Sequence, residues 1–515
     1  MFTTAMRIVI ISSLLIGCAV VPPETKFAAD IAAPERWAAI ESGAAAPPPV
    51  GDWLASFDDA VLSALVREAI ANNRDLGAAY ARLEASRRSA KAARATLLPT
   101  LDANFNFSRN AIVVNPTTAA QAGGGGGGGA SRLFINNFQA GGQVSWEPDS
   151  WGRLRDNAKS AYVDAFTQEA DAAASELSVA AQVAQSWFGF IEAGLQRRLA
   201  ERDIVARARS LRVTERRYAR GVAESADVRL ARSALASSEA THAARMQAEK
   251  EAVRALEVLL GRYPAAETKA ADSLPVLEDL AGPGAPGDIL ARRPDLIAAE
   301  LRLMSAGLRA RAARKELLPQ ITFTVQANTS GPFISDLIDP ERIAGALATG
   351  LAQPLFQGGR LRANAKAERA RAEAAIYDYA QAVLNAYQEA ENAIGAERLL
   401  KDQETALKVA FEESAAAQEI TERRYAAGAA SIFNVLDAQT RRISSESQYI
   451  NIAQQRLSNR VRLYLAIGGD FLTDIDVRTF DDPKIFRKET DEPLKRKRIN
   501  ASGSPLAGKA GADAG

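Results

Sequence analysis

Few residues of this chain have side chains suited to catalysis or metal binding. Cys18 is the only cysteine and His242 the only histidine among 515 residues. These single copies argue against disulfides, Cys/His zinc sites and Cys–His catalysis within one chain. A serine triad would have to use His242, whose surrounding run Glu239–Arg245 is typical of a plain helix. Paired carboxylates could still act as acid and base, but no motif supports them. We therefore expect no enzyme, with no catalytic residue, metal or cofactor.

The one cysteine lies at the end of an N-terminal signal. A short apolar run, Ile8–Ile16, ends directly before Gly17 and Cys18, and it is far shorter than the ~20 residues of a spanning helix. A charged start and a short apolar middle are typical of secretory signals, and the junction resembles the cleavage box of bacterial lipoproteins. We expect residues 1–17 to be removed and Cys18 to carry lipid. An ordinary signal peptide with an incidental cysteine is the alternative.

The charge balance argues against a nucleic-acid partner. Lys and Arg together number 63 and Asp and Glu 62, so there is no basic excess to bind phosphates. Aromatic residues are only 6% and alanine is abundant, a composition typical of closely packed helices. No later segment of the sequence reaches the ~18 uninterrupted apolar residues of a spanning helix.

The chain contains the same unit twice. Gly152–Lys159 recurs as Gly359–Lys366, and Thr214–Gly221 recurs as Thr421–Gly428, both 207 residues later. Leu260-Gly261 matches Ile467-Gly468 at the same offset. Three matched blocks at a constant offset indicate a true internal repeat. Each unit has the same predicted order: a helix ending at a proline, two strands, a very long helix, a glycine turn and a returning helix.

In the early part of each unit, the matched blocks are separated by more than 207 residues. Leu97-Leu98-Pro99 recurs as Leu317-Leu318-Pro319, 220 residues later. The difference must lie between Pro99 and Gly152, an interval that holds the seven consecutive glycines Gly123–Gly129. Such a run predicts a flexible loop, which we expect at the cell exterior.

The predicted long helices are unusually long. No proline lies between Asp149 and Tyr263, nor between Leu355 and Asp482, and proline is what most often breaks a helix. The stretch Arg153–Arg220 holds 68 residues, which corresponds to roughly 100 Å of helix. Two such units predict a cylinder of antiparallel helices.

The repeat divides the chain into segments. We distinguish a signal peptide (1–17), a lipid-anchored segment (18–60), a first repeat (61–262), a linker (263–287), a second repeat (288–470) and a C-terminal segment with a disordered basic tail (471–515). The predicted strands cover about 100–112, 133–147, 320–329 and 344–353. The predicted long and returning helices cover 153–220, 226–260, 360–427 and 432–467.

The predicted strands alternate apolar and polar residues. Leu101, Phe105 and Phe107 alternate with Asn104 and Asn106, the period of a sheet with two unlike faces. A half-buried soluble sheet would show the same pattern, but the secretory signal and the mostly uncharged polar residues favour a membrane wall around a wet lumen. Four strands cannot close, and lipid does not tolerate open edges. Several chains must therefore contribute: a dimer would give eight strands, and a trimer twelve with a real channel.

These features together resemble the TolC-like outer-membrane efflux protein family, in its NodT-type lipoprotein branch. The motifs that carry the resemblance, which covers about residues 18–475, are the box ending at Cys18, Arg292–Leu296, Leu317–Pro319, Pro354–Arg360, Arg424-Tyr425 with Gly428, and Leu436–Gln439. The resemblance implies a mainly α fold with a small β part, namely a trimeric α-helical tunnel plus a 12-stranded transmembrane β-barrel with four strands per chain.

The same resemblance implies a function and partners. The expected function is that of an outer-membrane exit duct for small molecules and drugs in a tripartite efflux system. The expected partners are two further copies in a homotrimer, a periplasmic adaptor, an inner-membrane RND-type pump and the outer-membrane lipid. The expected location is the cell outer membrane, with a lipid anchor and a periplasmic tunnel.

A gate at the periplasmic end of the tunnel is also implied by the resemblance. Tyr218 and Tyr425 occupy equivalent positions in the two turns. By the resemblance, Phe433 forms an apolar ring and Asp437 an acidic ring, while Tyr425 and nearby arginines tie the helices shut.

Two further residues belong to this gate hypothesis. Arg424 precedes Tyr425, and Asp227 occupies the position equivalent to Asn434. The alternative is that Tyr425 and Arg424 merely pack the turn and that Asp437 is a surface charge.

Several functions other than a passive duct are alternatives for this sequence. A periplasmic lipid-anchored adaptor also has helical hairpins, but it has one hairpin flanked by β-rich domains and not a twofold repeat. An outer-membrane enzyme lacks a supporting cluster, and a fibrous structural protein is a further alternative. Within the duct class, metal-ion efflux and type I protein secretion share the fold. The lipoprotein box favours small molecules by analogy, and no Met/His-rich stretch suggests soft metals.

Overall fold

Four ranges of the 515-residue chain are described by the computed structural model: residues 34–40, 53–114, 131–278 and 282–469. Four features predicted above lie outside the described residues. They are the signal peptide (1–17), Cys18, the glycine run Gly123–Gly129 and the basic tail that follows Lys484.

The first repeat consists of helices on both sides of a strand pair. After a 3-10 turn, Ala55–Phe57, come α1 (Ala60–Asn72) and α2 (Arg74–Ala95). The strands β1 (Thr100–Val114) and β2 (Ser131–Trp146) follow. The repeat then continues into the long helix α3 (Arg153–Ala219) and the returning helix α4 (Ser225–Leu259).

The second repeat has the same order. It contains α5 (Asp288–Arg292), α6 (Pro294–Lys315), β3 (Gln320–Gly331), β4 (Ala344–Ala352), α7 (Arg360–Ala426) and α8 (Ile432–Ala466), with two 3-10 turns between its strands. Both long helices have 67 residues and both returning helices 35. At 1.5 Å per residue each long helix is roughly 100 Å long.

Short polar side chains explain where the first helices begin. The Asp59 carboxylate accepts hydrogen bonds from the backbone N–H groups of Val61 and Leu62, and the Asn73 side chain does the same for the start of α2. These caps satisfy N–H groups that have no partner inside the helix. The long helices run without interruption because they contain no proline.

Two glycines show that the repeat is preserved in three dimensions. Gly261 follows α4 with φ 74° and Gly468 follows α8 with φ 92°. A Cβ on Gly261 would lie 2.5 Å from the carbonyl oxygen of Asn72, and one on Gly468 would lie 2.7 Å from Cβ of Arg292. Asn72 and Arg292 are themselves 220 residues apart. Both returning helices therefore end on the same part of their own repeat, where only glycine fits.

The four strands form one antiparallel sheet in the order β1-β2-β3-β4. The register places Phe107 opposite Phe138, and Val325 opposite both Val144 and Leu347. Paired residues point to the same face, so the sheet has one apolar and one polar face. The apolar face also carries Leu101, Phe105, Trp146, Phe323 and Leu351; the polar face carries Asn104, Asn106, Gln139, Gln143, Thr324 and Gln326.

The main core surrounds the middle of α3. Trp187 and Phe188 of α3 pack with Trp53, Phe57 and Tyr464, and the Trp187 indole donates to Asp59 at 2.7 Å. Buried aromatic residues of this kind fix one element against another by area and by a polar contact. Within the described residues, no helix combines the length and the hydropathy needed to cross a membrane.

Candidate functional site: the turns of the two long helices

Two tight turns connect each long helix to its returning helix. They lie at the ends of α3 and α7 that are farthest from the sheet, since both helices start beside it. Gly221 and Gly428 hold these turns with φ 73° and 84°, a conformation that other residues rarely adopt. The candidate gate residues are carried on the last helical turn before each glycine and on the first turns after it.

Tyr425 is the buried centre of this region. Only 4% of Tyr425 is exposed, and its hydroxyl lies 2.8 Å from Oγ1 of Thr214. The Thr214 hydroxyl donates to the carbonyl oxygen of Ser210 at 2.9 Å. Since that hydroxyl has one proton, the Tyr425 phenol is the donor in the shared bond. The last turn of α7 is thereby bonded to the last turn of α3.

Arg217, which the sequence analysis did not single out, contacts Tyr425 directly. Its Nη1 donates to the Tyr425 carbonyl oxygen at 2.8 Å, and its guanidinium lies 4.9 Å from the centre of the Tyr425 ring. A guanidinium over an aromatic face is attracted by the ring quadrupole. Arg424 is exposed and takes no part in this contact. The signal that could have found Arg217 is the repeat itself, because Arg217 and Arg424 are equivalent.

Phe433 and Asp437 lie together on the first turns of α8. Phe433 is 69% exposed, and the Asp437 carboxylate is bonded to Arg441 at 2.8 Å. The hydrogen bond and the charge of Asp437 raise the pKa of the Arg441 guanidinium. Both residues line a groove of about 290 Å³, together with Ser414, Thr421, Asn434 and Arg441.

Tyr218 and Asp227 have different surroundings from their counterparts. Tyr218 is 50% exposed, whereas the equivalent Tyr425 is buried. The Asp227 carboxylate accepts a hydrogen bond from the backbone N–H of Glu224 at 3.2 Å and so closes a capping box at the start of α4. Within the chain, the observed role of Asp227 is to begin a helix.

Polar contacts continue from Tyr425 along the boundary between α3 and α8. Gln439 is fully buried, and its amide donates to Ser210 and to Glu422, each at 2.9 Å. Farther along, Gln196 and Ser447 exchange hydrogen bonds. Buried polar groups that find partners define one register, so this row aligns the two repeats.

The Asp203 carboxyl, near this boundary, has a pKa above its ordinary value. Burial raises the pKa of the Asp203 carboxyl above its ordinary value, and the hydrogen bonds and charge of Arg207 offset only part of that rise. Arg207 Nε lies 2.9 Å from both carboxylate oxygens. The boundary therefore tolerates a buried acid because a cation is held beside it.

Comparison with known proteins identifies the family. The family model described as "Outer membrane efflux protein" matches residues 65–262 and 285–469, which together are more than half of the chain. The chain belongs to the outer membrane efflux protein family. The TolC-like resemblance and the mainly α fold class with a small β part are thereby confirmed, as is the function of an outer-membrane channel in efflux.

Relatives of this outer membrane efflux protein match over most of their length. The pyoverdine export outer membrane protein OpmQ of Pseudomonas aeruginosa is 30% identical, over 86% of this chain and 92% of the relative. The toluene efflux pump outer membrane protein TtgC of Pseudomonas putida is 27% identical, over 91% and 96%. The solved structure of the outer-membrane channel OprN aligns with a TM-score of 0.74 and 26% identity, covering 85% of this chain and 98% of that one.

Proposed function

We propose that this outer membrane efflux protein works as a homotrimeric, lipid-anchored exit duct for small molecules. In this proposal Cys18 carries the lipid, an adaptor docks from the periplasm, and an inner-membrane RND-type pump supplies the energy. Pyoverdine export and toluene efflux, named for the relatives OpmQ and TtgC, support small molecules as the class of cargo. The duct requires no catalytic group and no nucleic acid.

The observation that carries the proposal is the two-faced sheet. Its register separates an apolar face from a polar face, and β1 and β4 lie at the two ends of the strand order. Within the described residues, each of these strands has one backbone edge without a strand partner. In lipid such edges must be paired, and copies of the chain that join β4 to β1 supply the pairing. Three copies give twelve strands, with the polar faces around the lumen.

The second part of the proposal concerns the gate. Three copies place three sets of Tyr425, Phe433 and Asp437 around one axis. The bonds that hold Tyr425 to Thr214 and Arg217 keep α7 beside α3, and we propose that this arrangement closes the tunnel. Hydrogen bonds of this kind contribute about 1 kcal/mol each, and we propose that docking of an adaptor supplies the energy that opens the three sets.

Two measurements test the duct. Glutaraldehyde cross-linking of the purified mature protein should give a trimer, and the same sample should form discrete single channels in planar lipid bilayers. A strain that lacks the protein should accumulate exported compounds, and expression of the intact chain should restore their export. A stable monomer without channel activity would contradict the proposal.

A further inference from the structure

The two long helices are equivalent in sequence but differ in how much of their surface is covered. α3 has 27 buried residues, whereas α7, of the same length, has 8. Leu177 of α3 is 5% exposed, and its counterpart Leu384 of α7 is 53% exposed. α3 packs on α2 and α4 of its own repeat and also on α6 and α8 of the second. The face of α7 equivalent to the one under α6 and α8 is therefore left uncovered by the residues that the structure describes.

The contact that holds Tyr425 has two equivalent halves that do not meet within the described residues: Thr421 and Arg424 at the end of α7, and Tyr218 at the end of α3. Thr421 and Arg424 are equivalent to Thr214 and Arg217, the two residues that hold Tyr425. Among the residues that the structure describes, the side chain of Arg424 makes no hydrogen bond, ion pair or ring contact, and neither does that of Tyr218. Arg424 is exposed and half of Tyr218 is exposed.

Thr421 has the same local geometry as its buried counterpart. Its hydroxyl donates to the carbonyl oxygen of Ala417 at 2.7 Å, as the Thr214 hydroxyl donates to that of Ser210 at 2.9 Å. With its proton committed, the Thr421 hydroxyl can only accept, which is what a tyrosine hydroxyl requires of a partner. Thr421 and Arg424 thus provide the same hydroxyl acceptor and guanidinium that Thr214 and Arg217 provide to Tyr425. Among the described residues, no tyrosine hydroxyl is bonded to Thr421 and no tyrosine ring lies under the Arg424 guanidinium.

We propose that this contact forms between two copies of the chain, with Thr421 and Arg424 from one copy and Tyr218 from the other. Arg424 lies over the ring of Tyr218 of the partner subunit, and that hydroxyl donates to Thr421. The inference rests on the proposed homotrimer and names the contact that closes each subunit boundary at the turns. A closed ring then holds six such contacts: three between the repeats of one chain and three between chains.

The strand order of the sheet also indicates that first and second repeats alternate around the proposed trimer. Within the chain, β2 of the first repeat pairs with β3 of the second. The two ends of the sheet are β4 of the second repeat and β1 of the first. Pairing of β4 with β1 of the partner subunit places a second repeat beside a first repeat again. The boundary between subunits is then equivalent to the boundary inside the chain, and equivalent residues meet at both.

Cross-linking between introduced cysteines tests the contact. In a Cys18→Ser background, which has no other cysteine, Tyr218→Cys is combined with Thr421→Cys and treated with a short bismaleimide. We expect covalent dimers and trimers on denaturing gels. The matched control, Thr214→Cys with Tyr425→Cys, joins equivalent positions inside one chain and should give linked monomers only.

The outcomes separate this inference from the proposed function. Glutaraldehyde trimers without a bismaleimide link between residues 218 and 421 would overturn the contact and leave the homotrimer standing. The absence of any glutaraldehyde trimer would overturn both.

Channel recordings provide a second and independent readout. Arg424→Gln and Tyr218→Ala should each raise single-channel conductance, and the double variant should do no more than the larger single effect, because both changes remove the contact between the Arg424 guanidinium and the Tyr218 ring. Arg423→Gln is the control, since Arg423 pairs with Glu419 at 3.6 Å on the surface of α7. Fully additive effects of Arg424→Gln and Tyr218→Ala would contradict the inference.

Discussion

The hydroxyl of Tyr425 lies 2.8 Å from Oγ1 of Thr214, although the two residues belong to different repeats. Thr214 is fully buried and Tyr425 nearly so, so water does not compete for this bond. It joins the last turns of two helices that each extend over 67 residues. A small change at this one point can therefore change the separation of the helix ends.

Removal of the Tyr425 hydroxyl tests that relationship. Tyr425→Phe keeps the ring under Arg217 and deletes only the bond to Thr214, at a cost of about 1 kcal/mol per subunit. We expect higher single-channel conductance and greater entry of large antibiotics, with a further rise when Asp437→Ala is added. Tyr263→Phe, at a residue that is 86% exposed, is the control. Unchanged conductance at normal trimer abundance would exclude Tyr425 from the gate and leave the channel function intact.

Asp437 should affect ion passage without affecting stability. Its ion pair with Arg441 is exposed, and exposed pairs contribute little to folding. In a ring of three, the carboxylates would concentrate cations at the tunnel entrance. We expect Asp437→Asn to lower cation selectivity and to leave the thermal midpoint unchanged. Glu419→Gln, in another exposed pair of the same kind, should leave selectivity as it is. Equal effects of the two variants would argue that Asp437 is an ordinary surface charge.

Neighbouring residues on β3 should respond oppositely to the same substitution. Val325 lies on the apolar face and Gln326 on the polar face. An arginine on a lipid-facing side costs about 2–4 kcal/mol near the bilayer centre, whereas lumen positions tolerate charge. We expect Val325→Arg to reduce the amount of assembled trimer in the outer membrane. Gln326→Arg should keep the amount and lower cation conductance. Equal loss of assembled protein in both variants would contradict the assignment of the faces.

Cys18 should be dispensable for folding. The described core begins at Trp37 and the sheet at Thr100, so in the proposed function the lipid acts only as an anchor. We expect mass spectrometry of the mature wild-type protein to show acyl chains on Cys18. Cys18→Ser should lose that mass and still form trimers. An unmodified mature N-terminus in the wild type would rule out the lipoprotein assignment.

Acid should loosen the segment that follows α4. The Glu257 carboxylate accepts from the backbone N–H groups of Ala266 and Glu267, each at 2.7 Å, and from Thr268 at 3.0 Å. Burial raises the pKa of Glu257, but these hydrogen bonds outweigh burial and the pKa is lowered overall. A lowered carboxyl pKa gives stability that is present above the ordinary value of about 4.3 and is lost as pH falls through the folded value.

Hydrogen exchange measures this effect locally. After correction for intrinsic rates, the amides of residues 266–268 should keep their protection from about pH 6 to about pH 4.3 and lose it as pH falls below that value. In Glu257→Gln the protection should be lower throughout and should not vary with pH. Wild-type protection that stays constant over that range would show that Glu257 does not hold the segment.

The fold class was predictable because its signals are local and repeated. Absence of proline predicted a helix over 153–220, and the structure has Arg153–Ala219. Alternation predicted strands with two faces, and the register places Phe107 beside Phe138. These patterns depend only on backbone geometry and on side-chain period, so they can be recognised in the amino-acid sequence alone.

The contacts at the turns were not predictable in the same way. The repeat showed that Arg217 and Arg424 are equivalent, but it could not show which of them packs on Tyr425. That choice depends on how the two repeats pack side by side. The packing is set by contacts all along the boundary between α3 and α8. Asp227 likewise looked like a candidate gate acid, although its position three residues after Glu224 suits a cap.

The two end strands of the sheet have a consequence for biogenesis. Each bare backbone group in hydrocarbon costs several kcal/mol, and β4 alone presents nine residues to one side without a strand partner in the described chain. In the proposed trimer a lone copy therefore has no stable inserted form, and we expect insertion to be coupled to association. The rate of that coupled step rises steeply with the number of copies waiting at the membrane. We therefore expect the supply of chains to limit the amount of assembled protein more than the stability of each chain does.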